Sequence, residues 1–247
     1  MAEFAHDRVV PFSESALSKK EQVAGMFDNI AQKYDLLNRL LSGGTDRRWR
    51  KKAIKILQKD QPQTLLDIAT GTGDMAIMAA AMLPSCRITG MDISEGMLEV
   101  GRKKIKAQKL EEVIELLKGD GEAINAGDNS FDAVMVAFGV RNFQDLRKGL
   151  SEMRRVLRPG GKMMILEFSK PKNPIIAPWY RLYMKTIAPL AGKLFSKNAK
   201  AYKYLNNSIQ KFPEGDDFLA CLKEAGFNNP KQKPLSFGIC SIYYGIK

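Results

Sequence analysis

The sequence holds one histidine, His6, and three cysteines, Cys86, Cys221 and Cys240, with no CxxC pair among them. That scarcity argues against both a disulfide framework and a zinc site, and it points to a reducing, cytoplasmic compartment. His6 stands in the first few residues, a poor place for a general base. No apolar run approaches the roughly 18 residues that span a bilayer. The N-terminus also lacks the charged-then-apolar pattern of a secretory signal. Acid is missing from one long stretch: between Lys170 and Lys211 there are nine Lys and Arg residues and no Asp or Glu, within a chain of net charge +12. The same stretch carries Ile175, Ile176, Trp179, Tyr180, Leu182, Tyr183, Met184, Leu194 and Phe195. A cationic segment so rich in apolar side chains reads as a surface for anionic lipid or nucleic acid. It reads equally as a helical insert whose lysines cover and solvate one face.

What is present is ordinary for a globular chain: 247 residues, 45% hydrophobic and 27% charged, enough for one full core. Residues 1–17 have no periodicity and are expected to form a loose tail. The single domain then runs over 18–247. Val23, Met26-Phe27, Ile30-Ala31, Tyr34, Leu37 and Leu40-Leu41 recur at helical spacing, and Gly43-Gly44 stops that helix. Thr45 or Asp46 is placed to cap a second helix through Trp49, Ile54 and Leu57, completing a helical preface over 18–60. The core over 61–169 alternates, with strands expected at 64–68, 87–91, 113–117, 131–138 and 162–168. Helices are expected at 74–83, 95–108 and 145–157, the last ended by Arg158-Pro159-Gly160-Gly161. Repeated βα units imply an α/β fold, a mostly parallel sheet with helices on both faces. The basic insert at 170–211 interrupts the alternation. A helix near 216–225 and a last strand over 239–246 close the chain within 212–247.

The first strand runs Leu65-Leu66-Asp67-Ile68 into Ala69-Thr70-Gly71-Thr72-Gly73-Asp74, and the second ends on Asp92. A glycine loop between strand and helix marks the nucleotide-binding half of an α/β sheet, where ligands sit at the carboxyl ends of the strands. The loop alone also fits a dinucleotide site. Asp67 and Asp74, however, would repel a pyrophosphate on that helix N-terminus. S-adenosylmethionine, with sulfonium and ammonium groups and no phosphate, suits the charge. Asp92, with Ile93 after it, has the spacing of a ribose-binding acid, and Met97 is placed to cover an adenine. Gly119-Asp120-Gly121 ends the third strand at the same edge, where a carboxylate can accept from the adenine amino group. The fourth strand ends Ala137-Phe138-Gly139-Val140-Arg141-Asn142, and Arg141 with Asn142 is suited to holding an oxyanion.

Taken together, Lys33-Tyr34-Asp35-Leu36-Leu37-Asn38, Ser42-Gly43, Arg48-Trp49, Asp67 to Asp74 and Phe138 to Asn142 resemble the ubiquinone/menaquinone biosynthesis C-methyltransferases. Leu157 to Gly161, Leu166 to Pro171, Tyr204 to Ile209 and Phe212-Pro213 extend the resemblance over nearly the whole chain after the tail. The resemblance implies a Rossmann-like class I fold of seven strands with a helical cap inserted after strand 5. It implies S-adenosylmethionine as co-substrate, no metal, and a polyprenylated quinol methylated on a ring carbon. Gly71, Thr72, Gly73, Asp92, Asp120 and Gly121 stand where the donor contacts would be, and Tyr34, Arg141 and Asn142 on the substrate side. It also implies a homodimer or a larger biosynthetic complex and no nucleic acid; the basic, aromatic composition of 170–205, together with a prenylated substrate to be taken from a bilayer, leads to the expectation that this segment caps the site and contacts an anionic membrane surface. The chain departs from the family pattern at Ala137, where Ser is usual, at Asp46, where His commonly precedes Arg-x-Trp, and at Tyr243-Tyr244-Gly245. A histidine base at those positions is excluded. An RNA methyltransferase, a catalytically silent lipid- or protein-binding module and a dinucleotide-dependent oxidoreductase are the rival expectations.

Overall fold

The structure, a computed structural model, describes residues 4–184, residue 186 and 199–247. Seven strands form one sheet in the order β3-β2-β1-β4-β5-β7-β6. These are β1 (Thr64–Ile68), β2 (Arg87–Asp92), β3 (Ile114–Lys118), β4 (Phe131–Ala137), β5 (Leu157–Phe168), β6 (Asn228–Leu235) and β7 (Cys240–Ile246). The first five run parallel, and β7 lies antiparallel to both β5 and β6. Because side chains alternate along a strand, β1, β2, β4, β5 and β7 each feed two cores. Leu65, Ile88, Met135, Met164 and Ile242 pack on one face beneath α2 (Thr45–Gln58), α3 (Asp74–Met82) and α4 (Glu95–Ala107). Leu66, Ile68, Val134, Met163, Ile165 and Tyr243 pack on the other beneath α5 (Leu146–Val156) and α8 (Asp216–Glu224). Burying one such aliphatic side chain contributes about 1.5–3 kcal/mol.

Helix α1 (Lys19–Ser42) begins with a capping box, Ser18 and Glu21 bonding each other's backbone amides. It ends at Gly43 and Gly44, both at positive φ (56° and 75°), which lets α2 turn back at once. Neither Thr45 nor Asp46 caps α2, because Gly44 holds the N-cap position and offers no side-chain bond. Residues 176–184 form a helix, α6, and α7 (Ala199–Lys211) follows; residues 185 and 187–198 of the basic insert lie outside the described residues.

Two expectations need correction. The tail is not loose over residues 4–17: His6 is fully buried edge-on against Phe212, and the Lys19 ammonium donates to its carbonyl at 2.8 Å. Burial holds the His6 imidazole near a pKa of about 3, so it stays neutral. The Arg158-Pro159-Gly160-Gly161 run does not precede β5 but bulges within it, since Leu157 pairs with Phe131 and Lys162 with Ala133. The seventh strand that the resemblance implies is β6, whose position the local pattern does not reveal: two prolines and two lysines suit an edge that must not pair further.

Candidate active site

The order of the sheet reverses between β1 and β4, so a crevice opens at their carboxyl ends. Ala69 after β1 and Phe138 after β4 both adopt positive φ (53° and 60°), an uncommon backbone for either residue. Gly139 is required between them, because a Cβ there would stand 2.5 Å from that of Ala69. At the end of β2, Asp92 accepts from the Gly71 amide at 2.8 Å and from the Ser94 amide at 2.9 Å. Burial raises its carboxyl to about 6.

Two cavities meet at this edge. The smaller, about 60 Å³, is lined by Gly71, Asp92, Ile93, Met97, Asp120, Gly121, Glu122, Gly139 and Asn142, with Lys20, Val23, Phe27 and Tyr34 of α1 across from them. Its lining acids are Asp92, Asp120 and Glu122, and Lys20 is its one lining cation, bonded to Asp120 at 2.6 Å and to Glu122 at 3.0 Å. That charge balance fits a hydroxyl-bearing, phosphate-free, cationic ligand. The residues that would hold S-adenosylmethionine are therefore in place, and Lys20, Val23 and Phe27 must move outward to admit a molecule larger than this space.

Asp67, Thr72 and Gly73 line neither cavity. Asp67 is buried beneath the loop, accepts from the Thr70 hydroxyl at 2.6 Å, and is raised to about 7 by burial. Thr72 gives its hydroxyl to Asp35 at 2.6 Å, and Gly73 packs against Leu116 and Gly101. Asp74 is paired with Lys104, and Arg39 lies 4.0 Å away. The two carboxylates that set the charge expectation in the loop are thus sequestered, and Asp92 and Asp120 take their place at the cavity.

The larger cavity, about 620 Å³, lies between α1, α2, α6, α7 and the ends of β4 and β5. Most of its wall is apolar: Met26, Ile30, Leu37, Leu41, Trp49, Phe168, Trp179, Met184, Leu205 and Ile209. Phe27, Tyr34, Phe138 and Asn142 line both cavities and so mark their junction. Arg141 is buried here, its Nη1 donating to Glu167 Oε1 at 2.9 Å and to the Phe138 carbonyl. Its guanidinium stands 5.4 Å from the Phe168 ring. Glu167 is fully buried and also accepts from the amides of Arg141 and Phe168 at 3.3 and 2.9 Å. Burial raises the Glu167 carboxyl, and the Arg141 charge opposes that rise. The Arg141 Nε is buried with no hydrogen-bond partner among the described residues. Asn142 accepts from the Tyr204 hydroxyl at 3.1 Å.

The structure thus gathers Tyr34, Arg141 and Asn142 as expected, and adds Glu167, Tyr204, Asp46 and Arg50. Asp46 accepts from the Ser42 hydroxyl at 2.8 Å, and its Oδ2 is 3.7 Å from Arg50 Nε. Arg50 stacks over Phe138 at 5.4 Å, on the opposite aromatic of the Phe138–Phe168 pair from Arg141. The i, i+4 spacing of Asp46 and Arg50 was the available signal, though it reads as an ordinary helix-surface pair. Trp49 donates its indole N–H to Ser236 at 2.8 Å, and so serves both core and cavity wall.

The sheet order, the glycine loop and the acid ending β2 define the fold of the class I S-adenosylmethionine-dependent methyltransferases. A methyltransferase of Thermotoga maritima, described as a possible histamine N-methyltransferase, superposes with a TM-score of 0.64 at 19% identity, covering 91% of this chain and 99% of that one. The [4+2]-cyclase SpnF matches at 0.63 and 18% identity, covering 89% and 76%, so the fold by itself does not fix the reaction. Sequence is more selective: the chain belongs to the ubiE/COQ5 methyltransferase family, which it matches over residues 15–247. It is 45% identical over 244 residues to a demethylmenaquinone methyltransferase of Bacteroides fragilis, covering 99% of each chain. It is 44% identical over 230 residues to a ubiquinone/menaquinone biosynthesis C-methyltransferase of Geobacter sulfurreducens, covering 93% and 90%.

Proposed function

We propose that the chain methylates a ring carbon of a polyprenylated quinol, a reading supported by relatives named demethylmenaquinone methyltransferase and ubiquinone/menaquinone biosynthesis C-methyltransferase. The observation that carries this reading is the meeting of an acid-lined cavity with a large apolar one at Tyr34, Phe138 and Asn142. S-adenosylmethionine supplies an electrophilic methyl group when bound. Asp92 is suited to the ribose hydroxyls, Ile93 and Met97 to the adenine faces, and Asp120 with Gly121 to the adenine edge. The 620 Å³ apolar space suits a quinol ring and the first part of an isoprenoid chain.

An aromatic carbon becomes nucleophilic when a neighbouring hydroxyl loses its proton and drives charge into the ring. The Arg141 guanidinium stays protonated and lines the cavity, where its charge favours that oxygen as an anion, while Glu167 fixes its direction. Tyr34 stands at the junction, where its hydroxyl can relay a proton. Holding the acceptor carbon in line with the methyl group contributes a large share of the rate enhancement. The apolar wall favours this acceptor over a nucleobase, which needs hydrogen-bonding partners along its edge. The test is label transfer: methyl-labelled donor with a demethylated naphthoquinol, a demethylated benzoquinol and RNA. Label in a quinol supports the reading, and label in RNA alone contradicts it.

The same reading includes peripheral contact with an anionic bilayer, the source of a prenylated substrate. Trp179 (71% exposed) and Leu40 (50%) line the large cavity, and Ile175 (74%) is exposed next to Ile176 of its wall. Lys172 and Arg181 are exposed beside them. Binding to anionic vesicles is expected to weaken with salt and to fall on Trp179→Asp. Binding indifferent to lipid charge and salt would remove the electrostatic part. Among the described residues no helix is long and apolar enough to cross a membrane.

A further inference from the structure

The large cavity raises a question that Arg141 does not answer: which group takes the proton from the quinol. Among the described residues that line it, Asp46 is the one carboxylate, and no histidine, lysine or cysteine stands beside it. The remaining ionisable groups there are the guanidiniums of Arg50 and Arg141 and the phenols of Tyr34, Tyr180, Tyr183 and Tyr204. Guanidinium does not give up its proton in a protein, and a phenol is the conjugate acid of a base only above about pH 10. Burial pushes Tyr180, Tyr183 and Tyr204 higher still.

Asp46 is also built into position. It does not cap α2, so its side chain is free to turn into the cavity, where it is 4% exposed. One oxygen accepts from Ser42 of α1 at 2.8 Å. The other has no hydrogen bond among the described residues, and its nearest cation is Arg50 Nε at 3.7 Å. That nitrogen is itself buried without a partner. A carboxylate oxygen at the wall of an apolar space, backed by a buried cation and without a hydrogen bond of its own, is the pattern of an acceptor for a ligand hydroxyl.

Resting on the quinol reading above, we propose that Asp46 is the proton acceptor of the reaction, and that Arg50 is a positioning residue for its carboxylate. The O–H bond of the quinol breaks, its proton moves to Asp46 Oδ2, and the electron pair enters the ring. The ring carbon forms its bond to the methyl carbon while the carbon–sulfur bond breaks and the sulfonium becomes a neutral thioether. The ring C–H proton then leaves to solvent, the ring regains aromaticity, and the quinol oxygen recovers its proton from Asp46. One proton is released per methyl transferred. The ionisable groups that line the cavity with Asp46 are Arg50 on its own helix, Tyr34 of α1, Arg141 from the turn after β4, Tyr180 and Tyr183 of α6, and Tyr204 of α7. Asp67 lies beyond Arg50.

The test uses the full chain and two variants, Asp46→Asn and Asp46→His. In Asp46→Asn, kcat is expected to fall 100-fold or more, with donor Kd unchanged, the protein still folded at the assay temperature and the acid limb of the pH profile lost. Asp46→His is expected to recover at least a tenth of wild-type kcat, with its acid limb at higher pH, because imidazole protonates at higher pH than a carboxylate. A readout without donor or turnover is the emission of bound 1-naphthol, whose excited state passes its proton to an adjacent base. Wild-type protein is expected to give naphtholate emission, and Asp46→Asn neutral naphthol emission. Asp46→Asn turnover within threefold of wild type, with the acid limb kept, overturns the assignment alone. Wild-type protein that binds donor but methylates no quinol overturns the functional reading, and the Asp46 assignment with it.

Discussion

Removing the charge of Glu167 while leaving Arg141 in place tests how the site is held. Glu167 is fully buried, Arg141 is 5% exposed, and they share a 2.9 Å contact with further bonds to the amides of residues 141 and 168. Glu167→Gln keeps an acceptor for those amides but strands a buried guanidinium, a change that costs about 3–5 kcal/mol. For a chain of this size that corresponds to a fall in melting temperature of roughly 10 °C. Arg141→Met strands the carboxyl instead. It is destabilised less, because a buried carboxyl already pushed upward takes a proton and becomes neutral. The double variant leaves no unpaired charge, so it is expected to be more stable than Glu167→Gln alone. The coupling between the two sites should then be about 2–3 kcal/mol, measured by urea denaturation of all four proteins. Additivity to within about 0.5 kcal/mol would refute the buried pair as the element that fixes Arg141.

Two further outcomes follow from buried carboxyls. Asp67 is raised by burial from 3.8 to about 7, so the folded protein binds this proton more tightly than the unfolded chain. The resulting stability is complete below about pH 4 and lost as pH rises through 7, on the order of 4 kcal/mol. Melting midpoints should therefore fall between pH 5 and pH 8, and Asp67→Asn should flatten that slope; a steeper slope in the variant would contradict it. Asp92, raised to about 6, must ionise to meet a cationic donor, so donor Kd is expected to drop about tenfold between pH 5 and pH 7. Calorimetry on wild type and Asp92→Asn checks this, the variant binding weakly and without that pH dependence.

Much of this site was legible where the chain is locally patterned. An apolar run meeting Gly71 and Gly73, and a second strand ending on Asp92, announce the edge of a parallel sheet without knowledge of anything distant. Arg141 and Asn142 were legible for the same reason, because they follow a strand directly. The inference from Asp67 and Asp74 reached a suitable cofactor through charges that do not face it. Lys104, thirty residues on, neutralises Asp74, and nothing local to the loop announces that partner. Asp46 and Arg50 on one side, and Glu167 behind Arg141 on the other, were illegible as a group because α2 must pack against the end of β5 before they gather around one cavity. The position of strand β6 was not legible, since its prolines and lysines record edge protection rather than strand propensity. The N-terminal residues read as a tail because a few contacts, His6 on Phe212 and Lys19 on its carbonyl, hold them without any periodic pattern.

The central claim is that the methyl group is placed on a ring carbon of a quinol, at the junction marked by Tyr34, Phe138 and Asn142. The most direct test incubates the protein with S-adenosylmethionine carrying a carbon-13 methyl and with a reduced, demethylated prenylquinol, then records the carbon-13 spectrum and fragment masses of the product. A single labelled methyl bonded to the aromatic ring is the expected result. A labelled methoxy group, or a quinol recovered without label while the donor binds normally, would contradict the account.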